Sequence, residues 1–442
     1  MDLRTFLREQ ETNGRLIKVN KPVSLKYELS ALLKKLDGGS TIIFENIDAN
    51  QMKIVGNTCA SRQSLCMALQ TDMKSLHDTI INATKSPRVP NKISFSLLED
   101  RVQYAPDLSR LPIPTFYEKD RGPYLTASLV FAKSPTSGVQ NASFHRMLVI
   151  NKRQLAIRLV PRNLYKFYQL AKESNQSLPI AIAIGLHPAV HIGASTPLPS
   201  EFDEMSVANA LMNDALKTVS TPSLQIDVPS HAEIILEGYI HQDETVEGPF
   251  TDITGTYDET RSQPIVEITN MIFRKDAMFQ TILPGGMEHK ILMGFPKEAK
   301  IYEYAKNVVP DVHAVNLSAG GSGWLHAIIS ITKQKQGDAK NAIFAAFAAH
   351  PSLKICTVVD EDINVYDIND VEWAICTRMQ ADEDVFILPK CRGSSLDPSG
   401  DQDALLTTKV GIDATRDLTK PKEHFEKAKI PGEDEINPAQ YF

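Results

Sequence analysis

The segment 232–250, AEIILEGYIHQDETVEGPF, limits the fold more than any other. Ile234, Leu236 and Ile240 alternate with Ile235, Glu237 and Tyr239, so an extended chain here carries apolar side chains on both faces. Such a strand has to be covered on both sides. Glu237 then lies in apolar surroundings, where a lone ionised carboxylate is too costly. It needs an arginine or a metal, and the pattern leaves both open.

The strand belongs to a β-rich middle region. Residues 147–150 and 154–160 flank an Asn151–Lys152–Arg153 turn, a hairpin signal. Residues 179–186, 264–273 and 278–283 also read as strands, and 163–174 and 205–216 as helices. Mixed short strands with inserted helices suggest a barrel or strongly curved sheet. The flanks are different. Towards the N-terminus, helices are predicted at 3–10, 23–36 and within 60–84, with strands at 41–45 and 52–56. Past 297 comes a helix (297–307), then strands at 312–317, 324–332 and 355–360. Helices follow at 338–349, with Asp338 as N-cap, and at 367–378, the latter entering a strand. The expected class is mixed α/β and α+β, in three parts: 1–113, 114–296 and 297–442. The charged, Pro-rich tail after 415 is expected to pack on a partner subunit.

Composition narrows the function. A chain of 442 residues holds two or three domains. With 47 basic against 54 acidic residues, it offers no cationic surface for nucleic acid. The five cysteines include no C-x-x-C pair, which reads as reduced thiols in a cytoplasmic protein. The N-terminus has no apolar leader, and the most apolar runs, 178–186 and 342–349, fall short of the roughly 18 residues a membrane span needs.

Four groups of residues could carry chemistry. Asn141, His145 and Arg146 open the hairpin. Asn141 and Arg146 are five apart, so a regular strand would face them oppositely; serving one site requires a bulge or turn between them. A turn amide and a surface cation is the other reading. Arg158 and Arg162, the latter followed by Asn163, add guanidinium forks suited to phosphate or carboxylate, or simply to a solvated face. Glu237 is the third; Glu247 beside it reads as a solvated loop acid. The fourth is LPGGMEHK (283–290), where two glycines end a strand and present Glu288 and His289. Glu288 reads as a general acid/base or as a loop acid. No P-loop, dinucleotide fingerprint, nucleophile elbow or zinc motif is present.

Several ordered blocks resemble the UbiD family of decarboxylases: GPYLT (122–126), SGVQNASFHRM (137–147), LPIAIAIGLHP (178–188), AEIILEGYI with EGPFTDITGTYD (232–258), VVDEDINVYDINDVEWAICTRM (358–379) and TTKVGIDAT (407–415). The resemblance covers most of the chain. It implies an N-terminal α/β domain, a central split β-barrel that binds flavin, and a C-terminal α/β domain, in a homodimer or hexamer. It also implies prenylated FMN, made by a separate flavin prenyltransferase, and a divalent metal, usually Mn²⁺, with K⁺ as a further candidate. Asn141 and Glu237 match metal ligands. Ser143, Phe144, His145, Arg146, Arg158, Leu159, Val160, Arg162 and Asn163 match cofactor-contacting positions, and Lys354 matches a cofactor lysine loosely. Some relatives have a histidine ligand where Asn163 stands. Arg146 matches the arginine that orients the substrate carboxylate, and Glu288 the acid that returns a proton.

The blocks 146–165, 247–260 and 282–294 look most like the archaeal members. That likeness implies conversion of trans-anhydromevalonate 5-phosphate, a small unsaturated acid, to isopentenyl phosphate and CO₂ in the archaeal mevalonate route. Lys290, His289 and Arg162 are candidates for its phosphate. The alternatives are an aromatic-acid decarboxylase, such as that of 4-hydroxy-3-polyprenylbenzoate in quinone biosynthesis, and a flavin-dependent oxidoreductase, for which no nicotinamide fingerprint is seen.

Overall fold

The structure, a computed structural model, describes residues 1–48, 50–198 and 202–441. Its middle is one long antiparallel ladder. In sheet order the strands are Tyr124–Leu125, Met147–Val149, Gln154–Ile157, Arg261–Arg274, Ile234–Glu247, Leu178–Ile184, Leu129–Lys133 and Gln140–Phe144, with Arg101–Tyr104 also paired to Arg261–Arg274.

Connectivity forces this ladder to curl. Gln140–Phe144 is the last strand and Met147–Val149 the second, yet only His145 and Arg146 join them. Three residues, 126–128, likewise join the first strand to the seventh. Neighbouring strands lie about 4.8 Å apart, and an extended residue spans only about 3.5 Å. A flat sheet would separate these ends far beyond such linkers, so the sheet curls until its two ends meet. The expected turn between Asn141 and Arg146 is therefore this crossing.

Burial follows from the curl. Val130, Ala132, Ile180, Ile182, Ile234 and Leu236 fill the inside. Leu129, Phe131, Ala181, Ala183 and Ile235 point outward, onto helices Pro188–Ser195 and Glu204–Leu211. Both faces of the 234–240 segment are covered, as its composition requires. The hairpin arms Ile234–Glu247 and Arg261–Arg274 run longer than predicted. Beyond Ile240 the apolar alternation stops, but the ladder continues past a register shift to Glu247↔Arg261.

The N-terminal sheet takes Leu16–Val19, Thr41–Phe44 and Ile54–Gly56, and adds Phe279–Gln280 from the far end of the middle region. This shared strand ties the two parts together. Its helix Leu3–Thr12 buries Leu3, Phe6 and Leu7 at i, i+3, i+4 and is capped by Asp2.

The C-terminal sheet has the order Val312–Leu317, His326–Ile331, Ile355–Asp360, Leu406–Ala414, Val385–Arg392, parallel at its centre. Helix Met287–Lys306 connects it to the barrel. The expected helix 297–307 starts ten residues earlier in the fold, at Met287, and Pro296 lies inside it. Gly337, not Asp338, is the N-cap of Asp338–Ala349, and Asp338 Oδ2 instead accepts from the Gln334 and Lys335 N–H groups. No helix among the described residues is long and apolar enough to cross a membrane.

Candidate active site

The seam of the barrel carries the densest charge cluster. Arg146, 11% exposed, grips Glu247 with two hydrogen bonds of 3.0 Å and donates to Asp252 at 3.2 Å and Asp258 at 2.8 Å. Its guanidinium also lies 4.7 Å from the Phe250 ring centroid. Burial works against its charge, but Glu247, then Asp252 and Asp258, outweigh that and hold the guanidinium ionised. Arg158 Nε stands 3.8 Å from Asp258, and Arg261 donates to the same carboxylate at 2.5 Å. Burial and the like charge of Arg261 lower Arg158's proton affinity. Three guanidinium groups thus share three carboxylates.

The backbone explains the convergence. Glu247 ends the long strand Ile234–Glu247 and is fully buried. Asp252 follows in the next loop, its Oδ1 accepting from the Ile253 N–H at 2.6 Å. The Gly-Gly turn packs against this loop. Gly285 has φ +69°, and a Cβ there would meet Asp252 O at 3.2 Å, so glycine permits the close approach. The Gly285 N–H donates to His289 Nδ1 at 3.1 Å; burial lowers the proton affinity of His289, with Asp252 opposing and Arg146 and Lys290 adding to the effect.

A second cluster lies beside the seam. The Asn141 side-chain amide is within 3.2 Å of both the Asn163 amide and Glu204 Oε1, and Glu204 Oε2 accepts from the Ala142 N–H at 2.8 Å. In one orientation the Asn141 oxygen faces Glu204 Oε1; in the other its nitrogen donates to it. Burial pushes the Glu204 carboxyl up to about 7, against the Ala142 N–H. Ser143 Oγ links Asn141 (2.9 Å) to His145 Nε2 (3.0 Å), and His145 Nδ1 meets Arg158 O at 2.9 Å. A carbonyl only accepts, so Nδ1 carries the proton and Nε2 accepts. Burial holds His145 down at about 4, hence neutral.

Other predicted residues lie apart. Leu159 is buried and donates its N–H to Gln263, Val160 and Arg162 are exposed, and Phe144 packs on His191. Lys354 pairs with Asp397 at 2.8 Å in the C-terminal region and touches neither cluster.

Glu237 is not brought to Asn141. It stands in register with Ala181, Phe131 and Ala142, and Asn141 is one residue out of that row, so the two point to opposite faces of the sheet. Its oxygens accept from the N–H groups of Ser223 (3.0 Å) and Leu224 (2.8 Å) and from Asn270 Nδ2 (2.7 Å). The expectation of an arginine or metal partner thus gives way to three neutral donors.

Glu288 is likewise not placed at Arg146. Its carboxylate accepts from Thr58 Oγ1 (2.6 Å), Asn57 N (2.8 Å) and Cys59 N (2.8 Å) of the N-terminal domain. Burial raises it to about 7.

Sequence reasoning passed over Glu204, Asp252 and Asp258, and took Glu247 for a solvated acid. The block EGPFTDITGTYD did hold three of these four in one short stretch. Glu204 gave no signal, because an acid in the first turn of a helix is commonplace.

Three family profiles tile the chain: UbiD N-terminal domain at 7–84, UbiD Rift-related domain at 94–287 and UbiD C-terminal domain at 290–414, each described for 3-octaprenyl-4-hydroxybenzoate carboxy-lyase. An anhydromevalonate phosphate decarboxylase of Methanosarcina mazei is 44% identical over 438 residues, 98% of this chain and 100% of that one. Its namesake in Methanothermobacter thermautotrophicus is 43% identical over 401 residues, 90% and 94% of the two chains. The UbiD-class enzyme HmfF from Pelotomaculum thermopropionicum, solved in complex with FMN, superposes with a TM-score of 0.96 at 37% identity, covering 100% of both chains. The 3,4-dihydroxybenzoic acid decarboxylase AroY of Klebsiella pneumoniae superposes with 0.92 at 26% identity, covering 100% of this chain and 98% of that one.

Proposed function

This chain belongs to the UbiD family of carboxy-lyases, and from that premise we propose that it decarboxylates trans-anhydromevalonate 5-phosphate to isopentenyl phosphate and CO₂ in an archaeal-type mevalonate route. The observation that carries the chemistry is Arg146 held among Glu247, Asp252 and Asp258 at the barrel seam. The likeness to namesakes at 43–44% identity favours this substrate over an aromatic acid, whose decarboxylase here is 26% identical.

The residues present fit a flavin phosphate held through a cation. The Asn141 amide lies within 3.2 Å of Asn163 Nδ2 and Glu204 Oε1, and with the two amides turned oxygen-inward these three side chains would give a donor set suited to hard divalent ions such as Mn²⁺. No group of three His, Cys, Asp or Glu competes for a metal among the described residues. Arg158 has a long 3.8 Å contact to Asp258 and one Nη1 bond to Leu159 O at 3.3 Å, which leaves Nη2 available to a phosphate. Prenylated FMN, when bound, supplies the electron sink for the pair left behind by CO₂.

The chain's own groups do the rest. Arg146 orients the substrate carboxylate, and Glu247, fully buried and doubly bonded to it, keeps the guanidinium in one rotamer. Asp252, 22% exposed with a single 3.2 Å contact to Arg146, is the carboxyl free to carry a proton to product carbon. Neutral His145 fixes the hairpin through Ser143 and the Arg158 carbonyl. A separate prenyltransferase supplies the cofactor, and the chain works as a cytoplasmic homo-oligomer.

The test is direct. Cofactor-reconstituted protein incubated with trans-anhydromevalonate 5-phosphate should yield isopentenyl phosphate. No product there, with CO₂ released from 3,4-dihydroxybenzoate, overturns the substrate assignment.

A further inference from the structure

Helix Met287–Lys306 has two unlike sides. Phe295 and Glu298 pack towards the N-terminal domain, Glu298 bonding Arg62 at 2.6 Å. The other side carries His289, Met293, Lys297 and Lys300, spaced i, i+4, i+8, i+11 and therefore on one stripe. The stripe starts at His289, bonded to the Gly285 N–H where that turn packs on Asp252, and reaches Lys297 about 12 Å further along the axis.

Lys297 is partly buried, its Nζ 6.0 Å from the Trp324 ring centroid. Lys300 stands one turn further on the same stripe, and the charges that act on Lys297 are those of cations. Burial, then Arg162, then Lys300, lowers its proton affinity to about 8. Arg162 projects from the barrel, at the N-cap of helix Asn163–Glu173, where no side chain caps the first-turn N–H groups. Neither Arg162, Lys297 nor Lys300 has a carboxylate partner among the described residues. Cations from two elements that crowd one another without a counter-ion leave a place for an anion.

We propose that Lys297, with Arg162 and Lys300 in support, binds the phosphomonoester end of the substrate, while Arg146 at the start of the same stripe holds its carboxylate. This rests on the decarboxylase reading above and adds the subsite that selects phosphorylated acids. Lys297 is the specificity residue; Arg162 also borders the cofactor cluster through Asn163.

The experiment compares wild type, Lys297→Gln and Lys297→Arg, each loaded with prenylated FMN, on trans-anhydromevalonate 5-phosphate and on the same acid without phosphate. Lys297→Gln should raise KM for the phosphorylated acid by about tenfold or more, leave the unphosphorylated acid within about twofold, and retain flavin; Lys297→Arg should restore KM. Isopentenyl phosphate should perturb Trp324 fluorescence in wild type and much less in Lys297→Gln. Loss of flavin from Lys297→Gln would overturn the proposal by assigning the lysine to the cofactor phosphate. An unchanged KM would overturn it outright. Wild type inactive on the phosphorylated acid would instead sink the decarboxylase reading.

Discussion

Glu247 and Glu288 are both buried carboxylates beside glycine-containing turns, yet they answer to different chemistry. Glu247 is neutralised by a guanidinium that also reaches Asp252 and Asp258. Glu288 is held by a hydroxyl and two backbone N–H groups, with no cation. A site built on an ion cluster can trade one partner for a substrate carboxylate. A carboxyl whose lone pairs are taken up by backbone donors joins two parts of the fold. Burial alone therefore does not mark a reacting group; a charged partner shared with other acids does.

The hardest way to break this contrast is at Arg146. Arg146→Ala should cut turnover by about a thousandfold, and melting should show a loss of roughly 3–5 kcal/mol because Glu247 is left buried and unpaired. An active, fully stable variant would remove the ion cluster from the mechanism.

Asp252→Asn should lower kcat by about 10²–10⁴-fold with flavin and fold retained. Glu288→Gln should instead cost roughly 1–3 kcal/mol of stability, since an amide N–H₂ then faces a backbone donor. Its kcat should stay near wild type. Equal kcat losses in the two variants would erase the distinction drawn here.

Glu204 and Glu237 sharpen the same lesson for the metal. Glu204→Gln should strip bound Mn²⁺, measured by elemental analysis, and weaken flavin retention. Glu237→Gln should leave metal content unchanged and lower stability by about 1–3 kcal/mol. The reverse pattern would return the ligand role to Glu237.

The smallest effect is on pH. Glu288 titrates near 4.5 when unfolded and near 7 when folded. Between those values the folded chain keeps a proton that the unfolded chain has lost, so stability falls as pH rises through that window and levels off above 7. Melting curves of wild type should carry this component, and those of Glu288→Gln should lack it.

Much of this was legible beforehand. The two-faced apolar run at 234–240 demanded a strand covered on both sides, and the alternation at 147–157 marked the hairpin. The five-residue step from Asn141 to Arg146 asked for a break in the strand if both were to serve one site. The linker helix starts ten residues before its expected position and runs through Pro296, where packing on both sides overrides the local helix-breaking preference. Glu204 lies far along the chain from Asn141, and no periodicity links them. Glu237 looked like a ligand because spacing reports burial but not which donors wait on the buried side.

The amino-acid order alone determined where most strands and helices form, because periodicity is a local property; it did not determine that Arg146 would sit in acidic company. Only the curled barrel decided which acids supplied it. When the sheet curls and its ends meet, pleat direction sorts residues by face. That sorting gathered Glu247, Asp252 and Asp258 at the seam, put Glu204 beside Asn141, and sent Glu237 and Glu288 to structural pockets.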